Sequence, residues 1–124
     1  VLSEDRDKNV GLTQFVSRLY TKALGRTYDI DGLNYWCGVV LDGKDSILNV
    51  STKGFFHSQE FKNKNLSDGE YIKVLYRTFL GREYDQEGYE YWLKQLKNGK
   101  TRDEVLNGFA NSKEFREIMQ KYGL

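Results

Sequence analysis

The sequence predicts an all-α fold: a single bundle-like domain of about eight helices, built from two repeats of a four-helix unit. Three observations carry this. Apolar residues recur at helical rather than alternating spacing. Pro, the usual breaker of helices, is absent. Two blocks of the chain also match each other residue for residue, which marks one supersecondary unit used twice.

The duplication fixes the frame. Shifted by 56 residues, Phe15–Trp36 falls on Tyr71–Trp92, with ten of the 22 positions identical. The first copy reads Leu19-Tyr20, Leu24-Gly25-Arg26, Tyr28-Asp29, Gly32 and Tyr35-Trp36. The second reads Leu75-Tyr76, Leu80-Gly81-Arg82, Tyr84-Asp85, Gly88 and Tyr91-Trp92. A further block, Gly54-Phe55, Ser58 and Glu60-Phe61, recurs 54 residues on as Gly108-Phe109, Ser112 and Glu114-Phe115. The first copy thus carries two extra residues between Gly43 and Gly54. The whole chain, 1–124, reads as one domain with internal repeats at 12–64 and 67–118.

Each element has its own signal. In the first helix Leu12, Phe15, Val16, Leu19, Tyr20, Ala23 and Leu24 form one stripe, matched by Tyr71, Ile72, Leu75, Tyr76, Phe79 and Leu80. Gly25 and Gly81 follow, where a left-handed residue closes a helix. Asp29 and Asp85 stand where an N-cap oxygen takes up the free amides of the next helix. That second helix shows Leu33, Trp36, Cys37 and Val40 on one side, with Tyr89, Trp92, Leu93 and Leu96 as counterparts, and stops near Gly43 and Gly99. Thr101 with Glu104 and Ser67 with Glu70 have capping-box spacing. Ser58 and Ser112 are expected to cap one short helix each. The weakest register is the third helix of the first copy, around Ile47–Phe55.

Composition bounds the function. Nineteen Lys and Arg face 18 Asp and Glu, a net charge of +1, so no basic surplus draws the chain to nucleic acid or anionic lipid. No apolar run is long enough to cross a bilayer, and no signal-peptide core is visible. The chain opens at Val1 without an initiator Met, as a piece of a longer protein would. Nine Tyr, seven Phe and two Trp leave the packing largely to rings.

Catalytic chemistry finds no constellation. His57 is the only His, and its counterpart is Asn111, which suits a helix-end residue. Cys37 is the only Cys, and its counterpart Leu93 suggests a buried apolar thiol. The acid pairs Asp29/Asp31 and Asp85/Glu87 fit first-turn capping, with calcium ligation and acid–base work as alternatives. No cofactor is expected. Arg26 and Arg82 read as partners of an Asp or of C-terminal carbonyls, with a ligand-facing role as the alternative. Trp36 and Trp92 belong to the packing stripe. Tyr35 and Tyr91 sit about 100° round the helix from them, and with Tyr28 and Tyr84 they could form an aromatic patch beside Asn34 and Glu90. Such rings next to polar groups suit sugar stacking or a protein hot spot.

The frame Leu-Gly-Arg-x-x-Asp-x-x-Gly-x-x-Tyr-Trp, followed by Gly-Phe-x-x-Ser-x-Glu-Phe, resembles a bacterial family catalogued as domain of unknown function 4214. The resemblance covers residues 12–118, in both copies. Where that family has Pro before the Asp, this chain has Tyr28 and Tyr84. The Leu-Gly-Arg and Tyr-Trp elements also resemble phycobilisome linker domains, more faintly. The first resemblance implies a non-catalytic accessory module of large secreted or surface-attached proteins, found beside adhesin, calcium-binding-repeat and polysaccharide-degrading domains. It implies an extracellular or cell-surface location. The expected partners are polysaccharide or cell-wall glycan, or alternatively other surface proteins with the module as a spacer. No nucleic-acid partner and no membrane insertion are expected.

Overall fold

The structure is a computed structural model that describes residues 3–124. Among the described residues it holds eight α-helices and no strand. The first copy comprises α1 (Ser3–Arg18), α2 (Ile30–Leu41), α3 (Ile47–Ser51) and α4 (Gln59–Lys62). The second comprises α5 (Asp68–Leu75), α6 (Gln86–Lys97), α7 (Arg102–Ala110) and α8 (Lys113–Lys121). Three helices continue into a wider π-helical turn: α1 through Leu19–Leu24, α3 through Thr52–Phe56 and α5 through Tyr76–Leu80. No helix among the described residues is long and apolar enough to cross a membrane.

The punctuation acts as the sequence reading expected. Gly25 and Gly81 adopt φ of 71° and 63°, closing the π turns of α1 and α5. Asp29 and Asp85 cap α2 and α6 by accepting from the amides of Gly32 and Gly88. Ser58, Ser67 and Ser112 cap α4, α5 and α8, and Thr101 with Glu104 forms a reciprocal capping box on α7. The Glu70 carboxylate accepts from Lys73 instead of returning to Ser67. Ser46, which the sequence reading did not single out, caps α3. α1 begins at Ser3, ahead of the repeat boundary expected at residue 12.

The two extra residues of the first copy are absorbed in different ways. The offset between copies is 56 at Gly43 and Gly99, 55 at the caps Ser46 and Thr101, and 54 at Gly54 and Gly108. One residue therefore lengthens the loop before α3. The other lies inside the third helix, between the buried pair Val50-Ser51 and Gly54. There the chain opens into a π turn, whereas α7 is a plain α-helix. The Thr52 hydroxyl donates to the carbonyls of Leu48 and Asn49, each at 3.2 Å, and that of Ser51 to Ile47 at 2.8 Å. The Thr52 backbone amide donates to the same two carbonyls, so backbone and side chain together hold the helix where the turn widens.

The core lies between the first helices of the two copies. The first-helix stripes are buried as expected, apart from half-buried Leu80. Phe79 is fully buried and its ring meets Phe15 at 5.5 Å, Phe115 at 5.2 Å and Phe56 at 6.2 Å. The counterparts of Phe79 and Phe56 are Ala23 and Ala110, so the two large rings are paired at one end of the pseudo-dyad and the two small residues fall at the other. Closure is reciprocal. Phe61 of α4 packs on Tyr71 of α5, and Phe115 of α8 packs on Phe15 of α1. Each copy's last helix thus reaches the other copy's first through a ring contact, while it packs chiefly on the π turns of its own copy.

One expectation needs correcting. The second-helix stripes do not form core in both copies. Only Leu33 and Cys37 of α2 are fully buried, and no residue of α6 is. The reason is position: α2 packs chiefly on α1, and α6 chiefly on α5, from outside the central pair.

Candidate functional site

The repeated frame assembles into the same object twice. The Arg26 guanidinium grips the Glu60 carboxylate through Nε at 2.7 Å and a terminal nitrogen at 3.2 Å, and lies over the Tyr20 ring at 5.1 Å. Arg82 does the same with Glu114, at 2.8 and 2.9 Å, and lies over Tyr76 at 5.2 Å. Each Arg is tied to its neighbouring cap as well, to Asp29 at 4.0 Å and Asp85 at 3.4 Å. The guanidinium hydrogen bonds hold the carboxyls of Glu60 and Glu114 below the usual carboxylate range. Burial first, and the nearby Asp second, push the Tyr20 and Tyr76 hydroxyls up.

This settles where the Arg candidates lie. Arg26 and Arg82 are bidentate clamps between the first turn and the fourth helix, and the partner is the Glu of the second repeated block. The expected Asp is the lesser contact, and backbone carbonyls of Thr27 and Glu83 take a further nitrogen. The signal was present, because Glu60 and Glu114 repeat in register with the Ser caps.

The glycines of the frame make room for rings. Tyr20 and Tyr76 rest their hydroxyls against Gly32 and Gly88, so closely that a methyl group would not fit. A Cβ on Gly54 would come within 2.8 Å of the Trp36 ring, and one on Gly108 within 2.6 Å of Trp92. The two Trp stand in like surroundings, half-buried, next to Phe55 at 5.9 Å and Phe109 at 5.1 Å.

Outside each Trp stands a Tyr. Tyr35 meets Trp36 at 4.9 Å and 76°, and Tyr91 meets Trp92 at 5.0 Å and 79°. These near-perpendicular contacts fix the rings without covering them: Tyr35 is 62% exposed and Tyr91 54%. Asn34 and Glu90 are exposed beside them, and Glu90 accepts from Gln86 at 3.1 Å. Tyr28 is 43% exposed. Tyr84 departs from the expected patch. It is half-buried, packed on Tyr89 at 4.9 Å with the Lys73 ammonium over both rings. The first copy has Leu33 and Ser17 where the second has Tyr89 and Lys73, so Tyr28 has no such partners. The structure presents two matched exposed rings and one looser third, not a four-ring surface.

Sequence reasoning missed a second feature. A cleft of about 480 Å³ opens at the seam between copies, lined in part by Phe61, Lys62, Tyr71, Arg102 and Asp103. His57, expected at a helix end, is the C-cap of the α3 π turn and bonds both oxygens of Asp103, at 2.8 and 3.0 Å. That partner lies 46 residues away, and no local pattern announces it.

The fold and these surfaces define a duplicated all-α module whose repeated polar residues clamp its own turns. The chain belongs to the family described as Domain of unknown function (DUF4214), whose model matches residues 3–51 and 52–119. The division at 51/52 falls within the third helix, not between the two four-helix units. No curated protein and no solved structure matches the chain.

Proposed function

We propose that the chain is a non-catalytic accessory module of a secreted or surface-attached protein, and that it binds carbohydrate by stacking sugar rings on Tyr35 and Tyr91. One observation supports this above all: equivalent positions of both copies hold an uncovered Tyr seated on a Trp. A pinned aromatic face offers apolar sugar faces a platform at little entropic cost. The side chains of Asn34 and Glu90 supply a donor and acceptors for hydroxyls. Two platforms on one rigid module also suit a polymer, since the second contact is made at raised effective concentration.

The test is binding of the chain to cell-wall polysaccharides, plant polysaccharides and peptidoglycan, with Tyr35→Ala, Tyr91→Ala and the double variant. Each single change should weaken binding about tenfold, as loss of an aromatic anchor does. The double variant should abolish retention on the polymer. A wild-type chain that binds none of these glycans rejects the proposal.

A second reading is favoured by α2 alone. Ile30 is 68% exposed and Leu41 39%, where the second copy has Gln86 and Lys97. On this reading the module is structural and α2 meets α2 of a second copy. Sedimentation should then show association that Ile30→Gln with Leu41→Lys removes, together with indifference to sugars.

A further inference from the structure

Arg18 ends α1 and Lys22 stands in the π turn that follows it. Both line a small cleft with Arg77, Gly81, Arg82 and Glu83 of the second copy. Four cations and one acid thus meet in one place, in a chain whose net charge is only +1. Most of these charges are no part of the repeated frame. Their counterparts are Val74 for Arg18, Thr78 for Lys22, Thr21 for Arg77 and Thr27 for Glu83. The equivalent turn of the first copy holds Arg26, with Lys64 over Gly25.

Two of the four cations already have anions. Arg77 holds the Glu83 carboxylate in a fork, at 2.9, 3.0 and 3.1 Å. Arg82 is taken by Glu114 and Asp85. Arg18 is different. It is half-buried, its Nε donates to the Thr78 carbonyl at 2.9 Å, and its guanidinium lies 5.7 Å from the Phe15 ring and against Gly81. Its terminal nitrogens have no acceptor, and no carboxylate pairs with it, among the described residues. Burial lowers its pKa, because the charge has lost water without gaining a counter-ion. A guanidinium in that state carries a desolvation cost that an anion would offset. Lys22, exposed at the same cleft, feels Glu83 only at longer range and has no ion pair among the described residues.

Two positive charges are therefore left unmatched. The space between the lining residues, about 110 Å³, is the share of roughly four waters, which suits one compact group rather than a whole sugar ring. A carboxylate carries one charge, and in this chain a single Arg fork meets it, as at Glu60 and Glu114. A phosphate group carries close to two charges and presents three acceptor oxygens in different directions.

We propose that this cleft binds a phosphate group, with oxygens on the terminal nitrogens of Arg18 and on the Lys22 ammonium. The site is built from both copies and does not depend on the tyrosine platforms.

The test is an amide NMR titration of the whole chain, at constant ionic strength, with inorganic phosphate, glucose 6-phosphate, glucose and acetate. Phosphate and its ester should both shift the amides of Lys22, Gly81 and Glu83, while glucose and acetate should leave them in place. Equal affinity for the two would identify the bare group as the ligand, and a tighter ester would show that its carrier adds contacts. Lys22→Gln, on the surface, should keep the spectrum of the fold and weaken phosphate binding about fivefold. Arg18→Met, which keeps an apolar stem over Phe15, should weaken it at least about tenfold. Phosphate should also raise the melting midpoint of the original chain and not that of Arg18→Met. No shift at these amides with phosphate overturns the proposal. So does an equal response to acetate, or an affinity indifferent to both substitutions.

Discussion

At the scale of single residues, the glycines separate two effects that usually oppose each other. In a helix interior, Gly→Ala should gain about 0.5–1 kcal/mol by restricting the unfolded chain. At Gly38 in α2 a Cβ would meet nothing within 4 Å, so Gly38→Ala should raise the thermal midpoint. At Gly108 the same methyl would stand 2.6 Å from the Trp92 ring, and displacing that ring costs about 1–3 kcal/mol. The clash outweighs the gain, and Gly108→Ala should lower the midpoint and alter Trp fluorescence. Thermal melts of the two variants check both signs. Thr78 gives a third case, because its hydroxyl is buried with no hydrogen-bond partner among the described residues. Thr78→Val removes a polar atom that gains nothing from burial, so it should stabilise by about 1 kcal/mol. A denaturant midpoint that falls would mean the hydroxyl has a partner after all.

At the scale of elements, the caps, the helix-ending glycines and the first-helix stripes were legible because each is a local rule written within a few residues. The Trp–Gly contacts were not, and the Arg–Glu clamps showed only as the repeat of Glu60 and Glu114 in register, since these contacts join elements 16 to 34 residues apart in the chain. Tyr35 and Tyr91 were readable as outward rings from their turn away from the Trp stripe. Tyr84 takes the packed alternative because its partner Tyr89 has no equivalent in the first copy, where Leu33 stands. The π turns were invisible to hydropathy, which records burial but not the width of a turn. Duplication nevertheless exposes one of them: the change of offset from 55 to 54 between the Val50-Ser51 pair and Gly54 marks an inserted residue. Deleting Lys53, which is exposed and only bridges to Asp45 at 3.3 Å, should convert the third helix into the plain α-helix seen in α7. Helix content should be kept and unfolding should stay cooperative. Deleting Asn107, its counterpart in the unbulged helix, should move Gly108 off Trp92 and unfold the second copy. If the Lys53 deletion unfolds as readily, the π turn is required by the packing around it and does not merely absorb an extra residue.

At the scale of the whole molecule, α1 and its π turn pack against α5 and its π turn, with the Phe61–Tyr71 and Phe115–Phe15 contacts on either side, and this joins the two repeats into one unit. Continuity at the first seam comes from His57, which bonds Asp103 of the second copy at 2.8 and 3.0 Å. At the second, Tyr122 packs against Gly11 and donates to Gln14 at 3.1 Å. Because the two copies bury their first helices against each other, a longer array of this unit would be a string of paired beads rather than a solenoid. Neither half holds the whole core, because Phe15 and Phe79 bury each other across the pseudo-dyad. A chain cut between Lys64 and Asn65, in the exposed link after α4, should therefore give two pieces that are each largely unfolded, as domains of about 60 residues stripped of half their core must be. Equimolar mixing should restore the near-ultraviolet signal of the Trp residues and a single cooperative melt, with a midpoint that rises with concentration. A first half that melts cooperatively as a monomer would show that each copy closes over its own interior, and the paired-bead architecture would fail with it.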